Sequence, residues 1–464
     1  MARRSKRSVT RTGGRAATGG VIPGRFALSV GKPDLPAPQG WAWTALSEVA
    51  RLESGHTPSR KHPEYWGGDI PWISIQDATA NYGRTIATTD ESTNKLGIAN
   101  SSARLLPSGT VCLSRTASVG YVVVMGRPMA TSQDFVNWIC SERIDNHYLK
   151  YVLLAEHDSM LRFASGTTHQ TIYFPEVKAF HVCLPQPREQ RAIADILSSL
   201  DNKIEVNRRM NQTLEAIARA LFKSWFVDFE PVRAKARGRD SGLQKDVSVF
   251  PASFIDSELG DIPEGWGATT LADFASLNPE AWSKDTWPEV ISYVDLSNTK
   301  FGRIAAVTRY SKADAPSRAQ RVLRTNDTIV GTVRPGNGSY VLVAQDGLTG
   351  STGFAVLRPR LSEYAEFIYL AATAKENIDA LSRLADGGAY PSVRPETVAA
   401  TPVVRPSEPV LALFSRITTP LFAKLARNDR ESLVLAILRD SLLPKLVSGE
   451  LRVSDAERAV EAAA

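Results

Sequence analysis

Asn278-Pro279-Glu280 is the chain's nearest approach to the Asn/Asp-Pro-Pro-aromatic stretch that holds a target adenine's amino group for methyl transfer, and it fails at the second proline. Residues 331–338 (Gly-Thr-Val-Arg-Pro-Gly-Asn-Gly) are glycine-rich but carry no Lys-Ser/Thr pair. They read as a hairpin or an exposed loop, not as a phosphate cradle. No GxxxxGK[ST] run and no nucleophile elbow occur. Cys112, Cys140 and Cys183 form no CxxC pair, and the six histidines stand apart without zinc spacing. The sequence therefore offers no catalytic residue and no metal ligand. What it does offer is the hydrogen-bonding chemistry of groove reading, in which Arg suits guanine and Gln or Asn suits adenine. In the first half the candidates are Ser59, Arg60, Lys61, Gln76, Ser114, Arg115, Gln133, Thr168, His169 and Gln170. In the second half they are Lys300, Arg303, Arg334, Asn337, Tyr390, Ser392 and Arg394. Phosphate contacts are as common as base contacts, so most single arginines position a duplex and do not specify it. Trp66 and Trp72 read as core or turn packing, and His169 as a loop residue.

The elements that must position these side chains belong to a chain of 464 residues, long enough for two or three domains. Hydrophobic residues make up 43%, enough for sizeable cores. The net charge of +6 is compatible with a nucleic-acid partner and does not establish one. Sparse, unpaired cysteines suit a reducing cytoplasm, and no apolar run reaches membrane-spanning length. Residues 1–25 hold seven basic side chains and no acidic one, without the apolar core of a secretion signal, and residues 1–38 read as a disordered basic tail.

Laid over itself, the chain repeats. Gly40-Trp41, Thr44, Leu46 and Ala50 return as Gly265-Trp266, Thr269, Leu271 and Ala275. Tyr82-Gly83-Arg84 returns as Phe301-Gly302-Arg303, and Arg162, Ala164 and Gly166 as Arg383, Ala385 and Gly387. The register then holds without a gap, so that Asn207 meets Asn428, Leu214 meets Leu435 and Leu221 meets Leu442. Helices keep their spacing while loops drift, as expected where loops carry specificity. Each copy begins with short β-rich runs between turn signals and intervening helices such as 146–155 and 365–383, a mixed α/β texture.

Each copy ends in a long heptad pattern. One seam position holds Ile193, Leu200, Asn207, Leu214 and Leu221; the other holds Leu197, Ile204, Asn211 and Ala218. The second copy gives Phe414, Leu421, Asn428, Leu435 and Leu442, with a weaker stripe of Thr418, Leu425, Ser432 and Arg439. Apolar seams sustained this long predict two helices that pair, antiparallel, with asparagines fixing register. A helix over 188–226 is on the order of 58 Å long, one to two turns of B-DNA. Two readers on such a spacer would recognise a split site with a fixed gap. Trp225, Phe226 and Phe229 close the first helix, as core packing at the junction or as a surface for a partner protein.

The run 184–194 (Leu-Pro-Gln-Pro-Arg-Glu-Gln-Arg-Ala-Ile-Ala), the ending 221–229 (Leu-Phe-Lys-Ser-Trp-Phe-Val-Asp-Phe) and the closing 443–451 (Leu-Pro-Lys-Leu-Val-Ser-Gly-Glu-Leu) resemble the specificity subunits of type I restriction–modification systems. So do Gly55-His56-Thr57-Pro58-Ser59 and residues 65–73 of the first domain. The resemblance implies a non-catalytic subunit whose two target-recognition domains each read half of a bipartite DNA sequence. It implies docking of two methyltransferase subunits that use S-adenosylmethionine to methylate adenine, no cofactor on this chain, and two restriction subunits where cleavage is added. The second helix, opening Pro406-Ser407-Glu408-Pro409, departs from the pattern by lacking Arg-Glu-Gln. The expected organisation is a tail at 1–38, recognition domains at 39–187 and 263–408, helices at 188–230 and 409–450, a linker at 231–262 and a tail at 451–464. The alternatives are a stand-alone methyltransferase or nuclease, and a coiled-coil scaffold that binds proteins without DNA.

Overall fold

The computed structural model of the chain describes residues 20–166, 170–238, 247–283, 285–388 and 390–463. They fall into two units: the chain up to Glu205 together with Ser432 onward, and Val206–Glu431. Each unit holds one mixed α/β domain and a part of each of two long helices, the central Pro187–Phe226 and the C-terminal Glu408–Ser448.

In the first unit a five-stranded sheet runs in the order Ala50–Ser54, Phe135–Cys140, Val111–Ser114, Val122–Met125, Thr85–Ile86, antiparallel except for the last pair. The strands Val111–Ser114 and Val122–Met125 are buried at every position, which is why they are apolar throughout except at Ser114. A helix, Asn146–Ala155, packs on this sheet and starts where the Asp145 carboxylate accepts from the His147 and Tyr148 N–H groups at 2.9 Å. A four-stranded sheet, Ile22–Pro23, Leu28–Val30, Phe180–Leu184, Ala42–Ala45, leads into the central helix. The helix start is stapled to the domain by buried Gln190, which donates to the Arg143 and Pro185 carbonyls (3.1 and 3.0 Å) and accepts from Asp145 N–H (2.9 Å).

The described parts of both tails expected from the sequence, at 1–38 and 451–464, are folded. Residues 1–19 lie outside the described residues, but the rest of the expected basic tail enters the four-stranded sheet. Glu156, fully buried, accepts from the Arg25, Phe26, Ala27 and Leu28 N–H groups at 2.7, 2.6, 2.8 and 3.2 Å and grips that segment from 130 residues away. At the other end Gly449, at φ +73, turns the chain out of the C-terminal long helix, and Val453–Ala463 forms a further helix that buries Ala456.

The second unit repeats the plan. One sheet runs Ala275–Leu277, Phe354–Pro359, Thr328–Gly331, Tyr340–Leu342, and another Thr308–Ser311, Val290–Val294, Leu348–Ser351, Ala319–Leu323. The single helix expected over 365–383 is two, Ala365–Ala372 and Lys375–Leu384. At the place of Gln190 stands buried Leu411, and Glu408 accepts the Tyr364 hydroxyl at 2.8 Å. An apolar anchor and a different hydrogen bond thus replace the missing Arg-Glu-Gln element. The expected linker over 231–262 also carries structure. Glu230–Ala236 is a helix that buries Pro231 and Val232, and Phe254–Ile255 pairs with Ile262–Pro263.

In each unit the two long helices lie together. In the first, Ile193, Leu197 and Leu200 share one core with Leu435, Leu442 and Leu446, and Ile204 packs at its edge. Asp201 there accepts from Arg439 at 2.8 Å and from the Tyr151 hydroxyl at 2.6 Å, with Lys150 at 3.6 Å. The stripe that looked weak in sequence is therefore completed by an ion pair. In the second unit Asn207 donates to the Asn428 carbonyl (3.4 Å) and Glu431 (2.9 Å), and Asn211 to the Leu425 carbonyl (3.2 Å) and Asp429 (2.7 Å). Asn428 donates to Asn211 at 2.8 Å. Partners fall in number on one helix as they rise on the other, so the pairing is antiparallel. Half-buried Leu214, Leu221, Leu421 and Leu425 and buried Phe414 continue the seam.

Trp225, Phe226 and Phe229 do not form a partner surface. They are 1%, 5% and 8% exposed, and Trp225 meets Phe250 at 4.9 Å while Phe226 meets Phe414 at 4.9 Å and Phe367 at 5.0 Å. They tie the end of the central helix to the second domain's core. Trp225→Ala is expected to lower stability by about 3–5 kcal/mol in denaturant unfolding. Glu156→Ala, which strands four backbone donors, is expected to cost about 3–5 kcal/mol and to accelerate amide exchange at residues 25–28.

Candidate nucleic-acid interface

Each domain gathers equivalent loops into one rim. In the first unit Thr116 and Ser165 both bridge to Thr171, Ile172 N–H donates to the Arg115 carbonyl (2.8 Å), and Arg115 N–H donates to the Asp134 carbonyl (2.8 Å). In the second, Val333 and Asp386 both bridge to Ser392, Val393 N–H donates to the Thr332 carbonyl (3.0 Å), and Thr332 N–H donates to the Gly353 carbonyl (2.8 Å). The same backbone frame is thus built twice with different side chains on it. Backbone groups are satisfied inside the frame, which leaves the side chains to vary.

On the first rim, Gln133 is exposed, and its amide oxygen accepts the Thr57 hydroxyl. Arg115 lies over the Phe174 ring at 4.7 Å and donates to the Gln133 carbonyl at 3.3 Å; burial pulls its pKa below the usual guanidinium value. The segment carrying Thr57 runs beside the rim, since His56 N–H donates to the Thr131 carbonyl at 2.9 Å. Gln76 is exposed three residues beyond Ile73, whose carbonyl accepts from Ser132 N–H at 3.0 Å. Gln170 is exposed at the rim's far loop, and Thr168 and His169 lie outside the described residues.

Two first-domain candidates are committed elsewhere. Ser114 is buried, donating to the Ser118 carbonyl and accepting from Tyr121 N–H, so it shapes the turn and reads nothing. Arg60 makes a bidentate pair with Glu91 at 2.5 and 2.7 Å and stacks over Trp66 at 3.8 Å and Trp72 at 5.1 Å. That hydrogen bond raises the Arg60 pKa and lowers that of Glu91. Its neighbours Ser59 and Lys61 are exposed, and Lys61 makes no ion pair among the described residues.

On the second rim Tyr390 is 74% exposed, with Arg334 over its ring at 5.2 Å and Arg334 N–H donating to the Pro391 carbonyl at 2.8 Å. Ser392 and Arg394 are exposed beside it. Lys300 donates to the Asn337 carbonyl at 3.1 Å, joining two more candidates. Arg303, by contrast, reaches Asp429 of the C-terminal long helix at 3.8 Å, as Arg84 reaches Glu205 of the central helix at 3.8 Å. The repeated Gly-Arg turns therefore brace each domain against its helices. Arg318 was missed: its side chain is 63% exposed, Asp295 lies at 3.3 Å, and its carbonyl accepts from Thr352 N–H. A lone arginine between Ser317 and Ala319 carries no signal in sequence.

Among the described residues no group of three His, Cys, Asp or Glu side chains could hold a metal ion. No described helix is long and apolar enough to cross a membrane.

A family model described as the type I restriction modification DNA specificity domain matches residues 38–216. The MjaIX specificity subunit of Methanocaldococcus jannaschii is 29% identical, over 90% of this chain and 95% of its own. The HindI specificity subunit of Haemophilus influenzae is 26% identical, over 64% of this chain and 74% of its own. The crystal structure of a type I restriction-modification S subunit from M. genitalium superposes with a TM-score of 0.56 at 16% identity, over 90% of this chain and 98% of that one. The chain is thus similar to specificity subunits of type I restriction–modification systems, along 90% of its length to the MjaIX subunit, and it shares the fold of the M. genitalium S subunit.

Proposed function

We propose that this chain is a specificity subunit of a type I restriction–modification system, a non-catalytic adaptor in which each rim reads one half of a bipartite DNA target. The long helices, which run from one unit into the other, set the length of unread DNA between the halves. Two methyltransferase subunits dock on the chain and bring S-adenosylmethionine to an adenine in the target, and two restriction subunits join where unmodified DNA is also cut. The observation that carries this reading is the duplicated frame with unlike side chains: Gln133 and Arg115 stand where the other rim has Thr352 and Thr332. A scaffold for proteins alone has no use for two frames that differ in hydrogen-bonding groups.

Docking is better supported on the outer faces of the helices than at the aromatic cluster. Val206, Met210 and Ile217 follow one helical face at 53%, 39% and 50% exposure. Leu433, Val434 and Ile437 are 61%, 49% and 62% exposed. Such apolar side chains, clear of the seam, are what a partner subunit covers.

Mapping modified adenines in cells that make the complex should return two short specific blocks around an unread gap. Inserting one heptad into both helices should lengthen that gap by about three base pairs, since seven residues add roughly 10 Å. An unchanged gap contradicts the spacer role. Leu433→Asp with Ile437→Asp should leave DNA binding by the purified chain within twofold and abolish methyltransferase assembly, read by size-exclusion chromatography.

A further inference from the structure

We infer that Gln133 reads an adenine in the half-site of the first domain, and that the Thr57 hydroxyl is the positioning group that sets its amide for that base. The inference rests on the adaptor reading above and adds a residue, a base and an orienting contact to it.

Gln133 is an exposed residue on the rim whose backbone is fixed on both sides. Arg115 donates to its carbonyl at 3.3 Å, and the adjoining Asp134 carbonyl accepts from Arg115 N–H at 2.8 Å. Ser132 closes the turn, its hydroxyl donating to Asp134 Oδ2 at 3.0 Å and accepting from Asp134 N–H at 3.2 Å. The side chain is fixed as well, because the Thr57 hydroxyl donates to Oε1. Oε1 keeps one lone pair, and Nε2 has no protein partner among the described residues.

An acceptor beside a donor, at amide spacing, complements the N6 amino group and N7 of adenine in the major groove. Guanine presents two acceptors there, O6 and N7, and sets O6 against Oε1. Cytosine and thymine give at most one matching group. Because the amide is oriented before DNA arrives, ordering it costs little on binding. The second rim has Thr352 at this place, held by the Arg318 carbonyl, so the preference belongs to one half-site alone.

The test is methylation mapping in cells carrying the full chain with its partner subunits, comparing wild type with Gln133→Glu and Thr57→Val. Glutamate presents two acceptors and no donor, so discrimination for adenine at one position of one half-site should fall by roughly tenfold to a hundredfold. Valine keeps the shape of Thr57 and removes the hydroxyl, so the same position should relax more mildly. The other half-site and the gap should stay as they were, which also reports that both variants fold. A wild-type target that survives unaltered in Gln133→Glu overturns the inference and leaves the adaptor standing. A uniform loss at every position in both variants makes the pair a structural strut and overturns it too. A wild type that returns no bipartite target overturns the adaptor reading and this inference together.

Discussion

The hydrogen bonds that Asn207, Asn211 and Asn428 make across the helix seam govern the rest of the architecture. An all-apolar seam would hold two helices more tightly but would let them slide by a heptad or reverse. Asparagines buried opposite specific carbonyls and carboxylates lose their partners in any other register, and unsatisfied buried amides are costly. The Asp201–Arg439 pair works the same way in the first unit, where Tyr151 and Lys150 complete the carboxylate's shell. These polar layers trade some stability for a single alignment.

A fixed alignment matters because of what hangs on it. Each domain is anchored to its helices twice over: by a core, as where Phe226 packs on Phe367 and Phe414, and by an arginine that reaches a helix carboxylate. The rims then sit on sheets whose inner strands are buried throughout. Loops of unlike sequence are carried on frames of like backbone, which leaves the side chains of each copy free to differ without refolding.

Much of this plan was visible in the residues because helices preserve spacing. The constant register from Arg162 onward, the seam and the paired asparagines all follow from a period that insertions would destroy. What escaped notice depended on contacts distant in sequence. Residues 25–28 are held because Glu156 grips their backbone, and a carboxylate that binds N–H groups leaves no pattern near them. Arg439 looked like a flaw in the stripe until Asp201 stood opposite. Ser114 and Arg60 were plausible readers by residue type, and were lost to a buried turn and to Glu91. Thr57 lay inside a recognised motif, but its partner is 76 residues away.

If two independent grips share one chain, they should be exchangeable one at a time. Replacing residues 20–187, which include the strands before residue 38, with the corresponding domain of a type I specificity subunit, followed by mapping of modified adenines, tests this most directly. The account predicts that one block of the target changes, while the other block and the distance between them persist. A change in both blocks, or in neither, would contradict it.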